Sequence, residues 1–153
     1  MLKNAIATNV PGDGSCLFHA ISYPIKGLTG LLLKDITANI IERHPEEKLH
    51  GVSVLEWIQW DNETSFSISA ETYAKKLRGG LWGGALEMTI IASILNINIF
   101  VYKLNTSNVC SRITDVIADT GFLRNQIKRP PLSSQMCLLW VNECHYMHLS
   151  VLH

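Results

Sequence analysis

A chain of 153 residues, 47% hydrophobic and 17% charged, is long enough for one compact domain with a real core and too apolar to be disordered. Thirteen Lys and Arg balance thirteen Asp and Glu. That zero net charge argues against a nucleic-acid footprint and against a polybasic contact with a membrane surface. No apolar run reaches the length of a membrane span, and Met1–Ala7 lacks the apolar stretch of a signal peptide. Cys16, Cys110, Cys137 and Cys144 form no CxxC pair, so a reducing compartment and a cytoplasmic setting are expected. The expectation is a single, monomeric domain over 1–153.

In chain order, Gly12-Asp13-Gly14-Ser15 is a flexible loop that breaks into a short helix from Cys16 to Ser22, stopped by Pro24. Leu31 to Arg43 reads as an amphipathic helix, with Leu32, Ile36, Ile40 and Ile41 inward and His44-Pro45 as the stop. Val52 to Trp60 reads as another helix, with Leu55 and Ile58 or Trp57 inward. Trp57 and Trp60 read as core aromatics. Ser69 is a candidate N-cap for Ala70 to Arg78, which Gly79-Gly80 closes, and Lys75, Lys76 and Arg78 form its solvated face. Gly83-Gly84 opens an apolar helix from Ala85 to Leu95, buried all round, with Glu87 as its cap. The period then changes. Ile97 to Tyr102 and Val109 to Ile117 read as strands, and Thr120 to Ser134 as a surface loop. Met136 to Val141 and Tyr146 to Leu152 form a hairpin around Asn142-Glu143-Cys144. Helices early and strands late predict a mixed α+β fold.

A cysteine at a loop-to-helix junction sits where unpaired N–H groups favour a thiolate, the nucleophilic form of the thiol. It needs an imidazole as base and a polar group to orient that imidazole. Among six histidines, His19 lies on the same short helix as Cys16, and His44 and His50 flank a polar loop. His145 opens a strand after a tight turn. His148 has opposite strand parity, so only one of the two can face Cys16. Ser150, two residues on, is the argument for His148. Cys144, His145 and His148 also suggest zinc, but no second ligand pair accompanies them.

Gly12-Asp13-Gly14-Ser15-Cys16-Leu17-Phe18-His19-Ala20-Ile21 resembles the nucleophile motif of the ovarian-tumour (OTU) family of cysteine proteases. Leu81-Trp82-Gly83-Gly84-Ala85-Leu86-Glu87 resembles that family's Trp-Gly-Gly-x-x-Glu element, and His145-Tyr146 its His-Tyr block. The resemblance spans almost the whole chain. It implies a papain-like fold, with a small central sheet packed between helices and the nucleophile at a helix N-terminus. It also implies a deubiquitinase without cofactor or metal, hydrolysing the bond after the C-terminal Gly-Gly of ubiquitin or a similar modifier. Cys16 becomes the nucleophile and His145 the base. Asp13-Gly14-Ser15 and the Cys16 amide form the oxyanion hole, and Trp82 shapes the substrate cleft. Many family members orient the base with Asp or Asn two residues after it. Here that position is Met147, so an upstream residue, Asn9 or Asp13, is the candidate, or the site works as a dyad. Met147 also motivates a catalytically silent ubiquitin-binding module. A third reading is a viral polyprotein-processing protease.

Overall fold

The computed structural model describes residues 5–10, 14–61, 68–105, 107, 109–125, 135–141 and 145–151. Among these, β1 (Ala5–Thr8), β4 (Ile99–Leu104), β5 (Cys110–Val116), β6 (Met136–Val141) and β7 (His145–Val151) form one sheet in the order β1-β7-β6-β4-β5. β4 and β6 run parallel, and every other pair is antiparallel. A two-stranded hairpin, β2 (Lys48–Leu49) with β3 (Val52–Ser53), stands apart from that sheet. The helices are α1 (Cys16–Ser22), α2 (Gly30–Arg43), α3 (Val54–Asp61), α4 (Ala70–Arg78) and α5 (Ala85–Leu95). The fold is therefore mixed α+β, as the sequence predicts. No helix among the described residues is long and apolar enough to cross a membrane.

Local chemistry sets the helix ends. Thr29 and Ser69 accept hydrogen bonds from the Leu32 and Thr72 N–H groups, each at 3.1 Å, and so start α2 and α4. Asn96, in the left-handed conformation at φ 54°, ends α5. The apolar side chains of α5 fill the main core. There they meet Leu17, Phe18 and Ile21 of α1, Leu33 and Ile41 of α2, and Ile99, Val101 and Leu138 of the sheet. Phe100, Tyr102, Leu139 and Leu149, of the opposite strand parity, make a smaller cluster. Arg78 leaves the α4 surface to pair with Asp35 and Glu42 of α2, at 3.3 and 3.4 Å.

Four expectations change. On α2 the inward stripe is Leu33, Lys34, Thr37, Ala38, Ile40 and Ile41, while Leu32 is 46% exposed. Apolar periodicity misplaces that stripe because two polar residues sit inside it. Each is satisfied there: Thr37 Oγ1 donates to the Leu33 carbonyl at 2.8 Å, and Lys34 Nζ to Ser15 Oγ at 2.9 Å. Helix α3 starts at Val54, because Val52–Ser53 pairs with the preceding strand and Ser53 Oγ accepts from the Glu56 N–H. Trp60 is 64% exposed and not a core residue, whereas Trp57 packs on the core and donates its indole N–H to the Leu49 carbonyl. β4 begins two residues late, since Asn98 is occupied in accepting from Met136 N–H and Ala118 N–H.

The segment read as a surface loop from Thr120 carries Phe122 and Leu123 into the main core. Residues 126–134, including Arg129, and the loop at Asn62 lie outside the described residues. Phe122 is fully buried, so Phe122→Ala should lower stability by about 3–5 kcal/mol in a urea titration.

His148 sits on the α1 side of β7, buried, with its ring centroid 5.3 Å from that of Tyr23. Burial lowers its pKa from the ordinary 6.5, only partly offset by a backbone hydrogen bond to Ala20. Its Nδ1 has no hydrogen-bonding partner among the described residues. Folding thus favours the neutral ring. Its contribution is complete above pH 6.5, the unfolded value, and falls as pH drops from there towards the lower folded value. Denaturant midpoints should therefore fall between pH 7 and 5, and His148→Leu should flatten that slope.

Candidate active site

Gly14 and Ser15 turn the chain into α1, and Cys16 is its first helical residue, only 2% exposed. The turn rests on the connection between α4 and α5. A Cβ on Gly14 would run into the Gly80 carbonyl, and Gly80 itself adopts φ 113°, open only to glycine. A Cβ on Gly83 would stand 2.7 Å from Leu17 Cδ2 and 3.3 Å from Phe18 Cε2. The two glycine segments pack backbone against backbone, so the turn that carries Cys16 has little room to shift.

Glu87 holds that connection in place. Its side chain is 1% exposed and accepts from the Gly84 N–H at 2.9 Å, which caps α5 as its position in the sequence suggests. The Tyr73 hydroxyl donates into the same carboxylate, 3.1 and 3.0 Å from its two oxygens. The Trp-Gly-Gly-x-x-Glu block is thus a buttress beneath Cys16. Leu81 and Trp82 stand exposed on it.

His145 opens β7, paired with Val141 across the hairpin. α1 packs on β7. The Tyr146 phenol is pushed above its ordinary 10.0, first by burial and then by the Cys16 and Glu87 side chains. His145 Nε2 lies 3.2 Å from Asn9 Oδ1. The Val10 N–H also donates to Asn9 Oδ1, at 3.1 Å. An N–H pointing at that atom identifies it as the carbonyl oxygen of the amide. A neutral His145 ring that bonds to this oxygen does so as the Nε2–H tautomer. Its Nδ1 is left with the lone pair, free to accept a proton.

Asn9 reaches His145 because β1 pairs with β7, Thr8 opposite His148. Continuing that register by one residue sets Asn9 opposite Met147. A polar side chain therefore stands beside His145 although position 147 carries none. Sequence reading names Asn9 alongside Asp13 but cannot choose between them, because the choice depends on strand pairing. Asp13, Gly12 and Cys144 lie outside the described residues. Strand parity sets His148 on the α1 face of β7, against Tyr23, and His145, the first residue of the strand, on the face shared with Asn9. His145 is brought to the start of α1 by its place at the strand's end and not by its parity. Among the described residues no three His, Cys, Asp or Glu side chains cluster as metal ligands.

The sequence pattern of OTU-like cysteine proteases matches residues 11–146. The chain is 25% identical over 104 residues to ubiquitin thioesterase otu2 of Schizosaccharomyces pombe, and 30% identical over 105 residues to putative ubiquitin thioesterase otu1 of the same yeast. Those matches cover 64% and 67% of this chain but 32% and 27% of the relatives, so the chain spans about a third or less of their length. An OTU deubiquitinase from Wolbachia pipientis wMel, solved bound to ubiquitin, superposes with a TM-score of 0.62 at 16% identity, over 97% of this chain and 96% of that one. With the cysteine turn, its glycine buttress and the histidine of β7 all falling inside the matched span, the chain belongs to the OTU-like cysteine protease family.

Proposed function

We propose that the chain is a deubiquitinating cysteine protease that cleaves the bond after the C-terminal Gly-Gly of ubiquitin or a ubiquitin-like modifier. The observation that carries this is the Asn9–His145 pair, whose tautomer leaves Nδ1 as the basic nitrogen. The yeast relatives named as ubiquitin thioesterases and the ubiquitin-bound Wolbachia enzyme support the choice of substrate.

In this mechanism His145 Nδ1 takes the Cys16 thiol proton, and the thiolate attacks the glycine carbonyl. The carbonyl oxygen becomes an oxyanion, stabilised by the Cys16 N–H and the Asp13–Ser15 loop. His145 then protonates the leaving amine as the C–N bond breaks, giving a thioester on Cys16. A water, deprotonated at Nδ1, hydrolyses that thioester and restores the thiol. Asn9 keeps the ring oriented through each proton transfer and offers its carbonyl dipole to the imidazolium. Asp13 drops to second place for this role, because the Asn9 contact already occupies Nε2. Trp82, exposed on the connection beneath Cys16, is the proposed contact for the substrate tail. The oriented base weighs against a silent binding module. A monomer in the cytosol, where the thiol stays reduced, fits this chemistry.

A ubiquitin probe with a C-terminal electrophile should label Cys16 and fail on Cys16→Ala. Because Cys16 is enclosed, iodoacetamide should react far more slowly than the probe. Turnover should vanish in His145→Ala and survive in His148→Ala; the reverse pattern would sink the assignment. Asn9→Ala should lower kcat on the order of tenfold or more with KM little changed. Met147→Asp in that background should recover part of the loss, since position 147 shares a strand face with His145.

A further inference from the structure

Ser15 is the N-cap residue of α1, yet its hydroxyl makes no capping hydrogen bond. The contrast with the rest of the molecule is direct, because Thr29 and Ser69, the N-caps of α2 and α4, both cap in the ordinary way. Ser15 Oγ instead accepts from Lys34 Nζ at 2.9 Å. Lys34 is a lysine on the inner face of α2 and only 7% exposed. Among the described residues that hydroxyl is its one hydrogen-bonding partner. Burying an ammonium against a neutral hydroxyl costs free energy that burying a methionine would not. The core gains nothing from the charge that Leu33 and Ile41, on either side, do not already supply.

We propose that Lys34 is a positioning residue for the reaction, fixing the peptide unit whose N–H is the Cys16 amide. This rests on the reading of Cys16 as nucleophile. Gly14 is wedged against the Gly80 carbonyl on one side, and Ser15 is tethered to α2 on the other. The Ser15–Cys16 peptide lies between these two restraints. By holding the hydroxyl away from the helix end, Lys34 stops Ser15 from competing for the first-turn N–H groups of α1. Its amino group also sits beside the loop near which the oxyanion develops. Other titratable groups on the packed elements include Cys16 and His19 of α1, the latter against Gly30, one turn before Lys34.

The test uses ubiquitin carrying a C-terminal fluorogenic amide, with Cys16→Ala as the control. Lys34→Met should fold with a Tm equal to or above the parent's, because the burial cost of the charge is gone and Ser15 is free to cap α1. Its kcat should fall on the order of 10- to 100-fold while KM stays within about twofold. Lys34→Arg should restore most of kcat, since a guanidinium can still donate to Ser15 Oγ. A merely structural lysine would give the opposite result, a lower Tm with kcat per folded molecule unchanged. Ser15→Ala gives an independent reading should Lys34→Met fail to fold. It should lose kcat to a similar extent, with a lower Tm because the ammonium is left buried and unpartnered. A folded Lys34→Met or Ser15→Ala with the parent's kcat, or Lys34→Arg as slow as Lys34→Met, would overturn the inference. A Cys16→Ala variant that still cleaves would overturn the protease reading itself, a distinct outcome.

Discussion

The pairing of β1 with β7 in a single register is the constraint on which the rest of the site depends. Thr8 opposite His148 sets Asn9 beside His145. The same pairing leaves Tyr146 and His148 turned toward α1 and the main core. A slip of one residue would exchange the two faces of β7. His145 would then turn away from the amide that orients it, and the buried His148 would meet solvent. The register is held by what each face can tolerate, an apolar helix on one side and a polar hydrogen bond on the other.

The second restraint is steric. Gly14, Gly80 and Gly83 bring two backbone segments closer than any side chain would permit. The Glu87 carboxylate, with donors from Tyr73 and Gly84, locks the far segment. A buried carboxylate is costly unless its oxygens are hydrogen-bonded, and here they are. Ser15, Lys34 and Glu87 are buried polar residues bonded at or against the turn that carries Cys16. They specify where one peptide unit sits and add little to the apolar burial that holds the domain together.

Much of this was legible in the sequence where a local rule decides. The Ser69 cap and the Gly79-Gly80 stop delimit α4 as read, and the all-apolar α5 is the buried central helix. Cys16–Ser22 and Met136–Val141 also fall where the reading places them. The misses turn on residues whose partners the local pattern does not reveal. Lys34 turns inward because Ser15 receives it, which rotates the face of α2 and exposes Leu32. Val52 leaves the predicted helix because Leu49 pairs with it. Phe122 enters the core from a stretch with loop composition. At the site, Met147 turns attention to residues upstream of Cys16. Only strand pairing singles out Asn9.

Asn9 ties the proposed chemistry to the least anchored part of the sheet. β1 is four residues long and is an edge strand, paired among the described residues with β7 only. Local fraying of such a strand costs far less than global unfolding. When β1 peels away, the Cys16 turn, its glycine buttress and His145 all keep their places, yet the imidazole loses the tether that fixes its tautomer. On the proposed mechanism, the fraction of proficient molecules would follow this local opening as well as the stability of the whole domain. Anything that competes for that strand edge acts on turnover without touching the reacting groups.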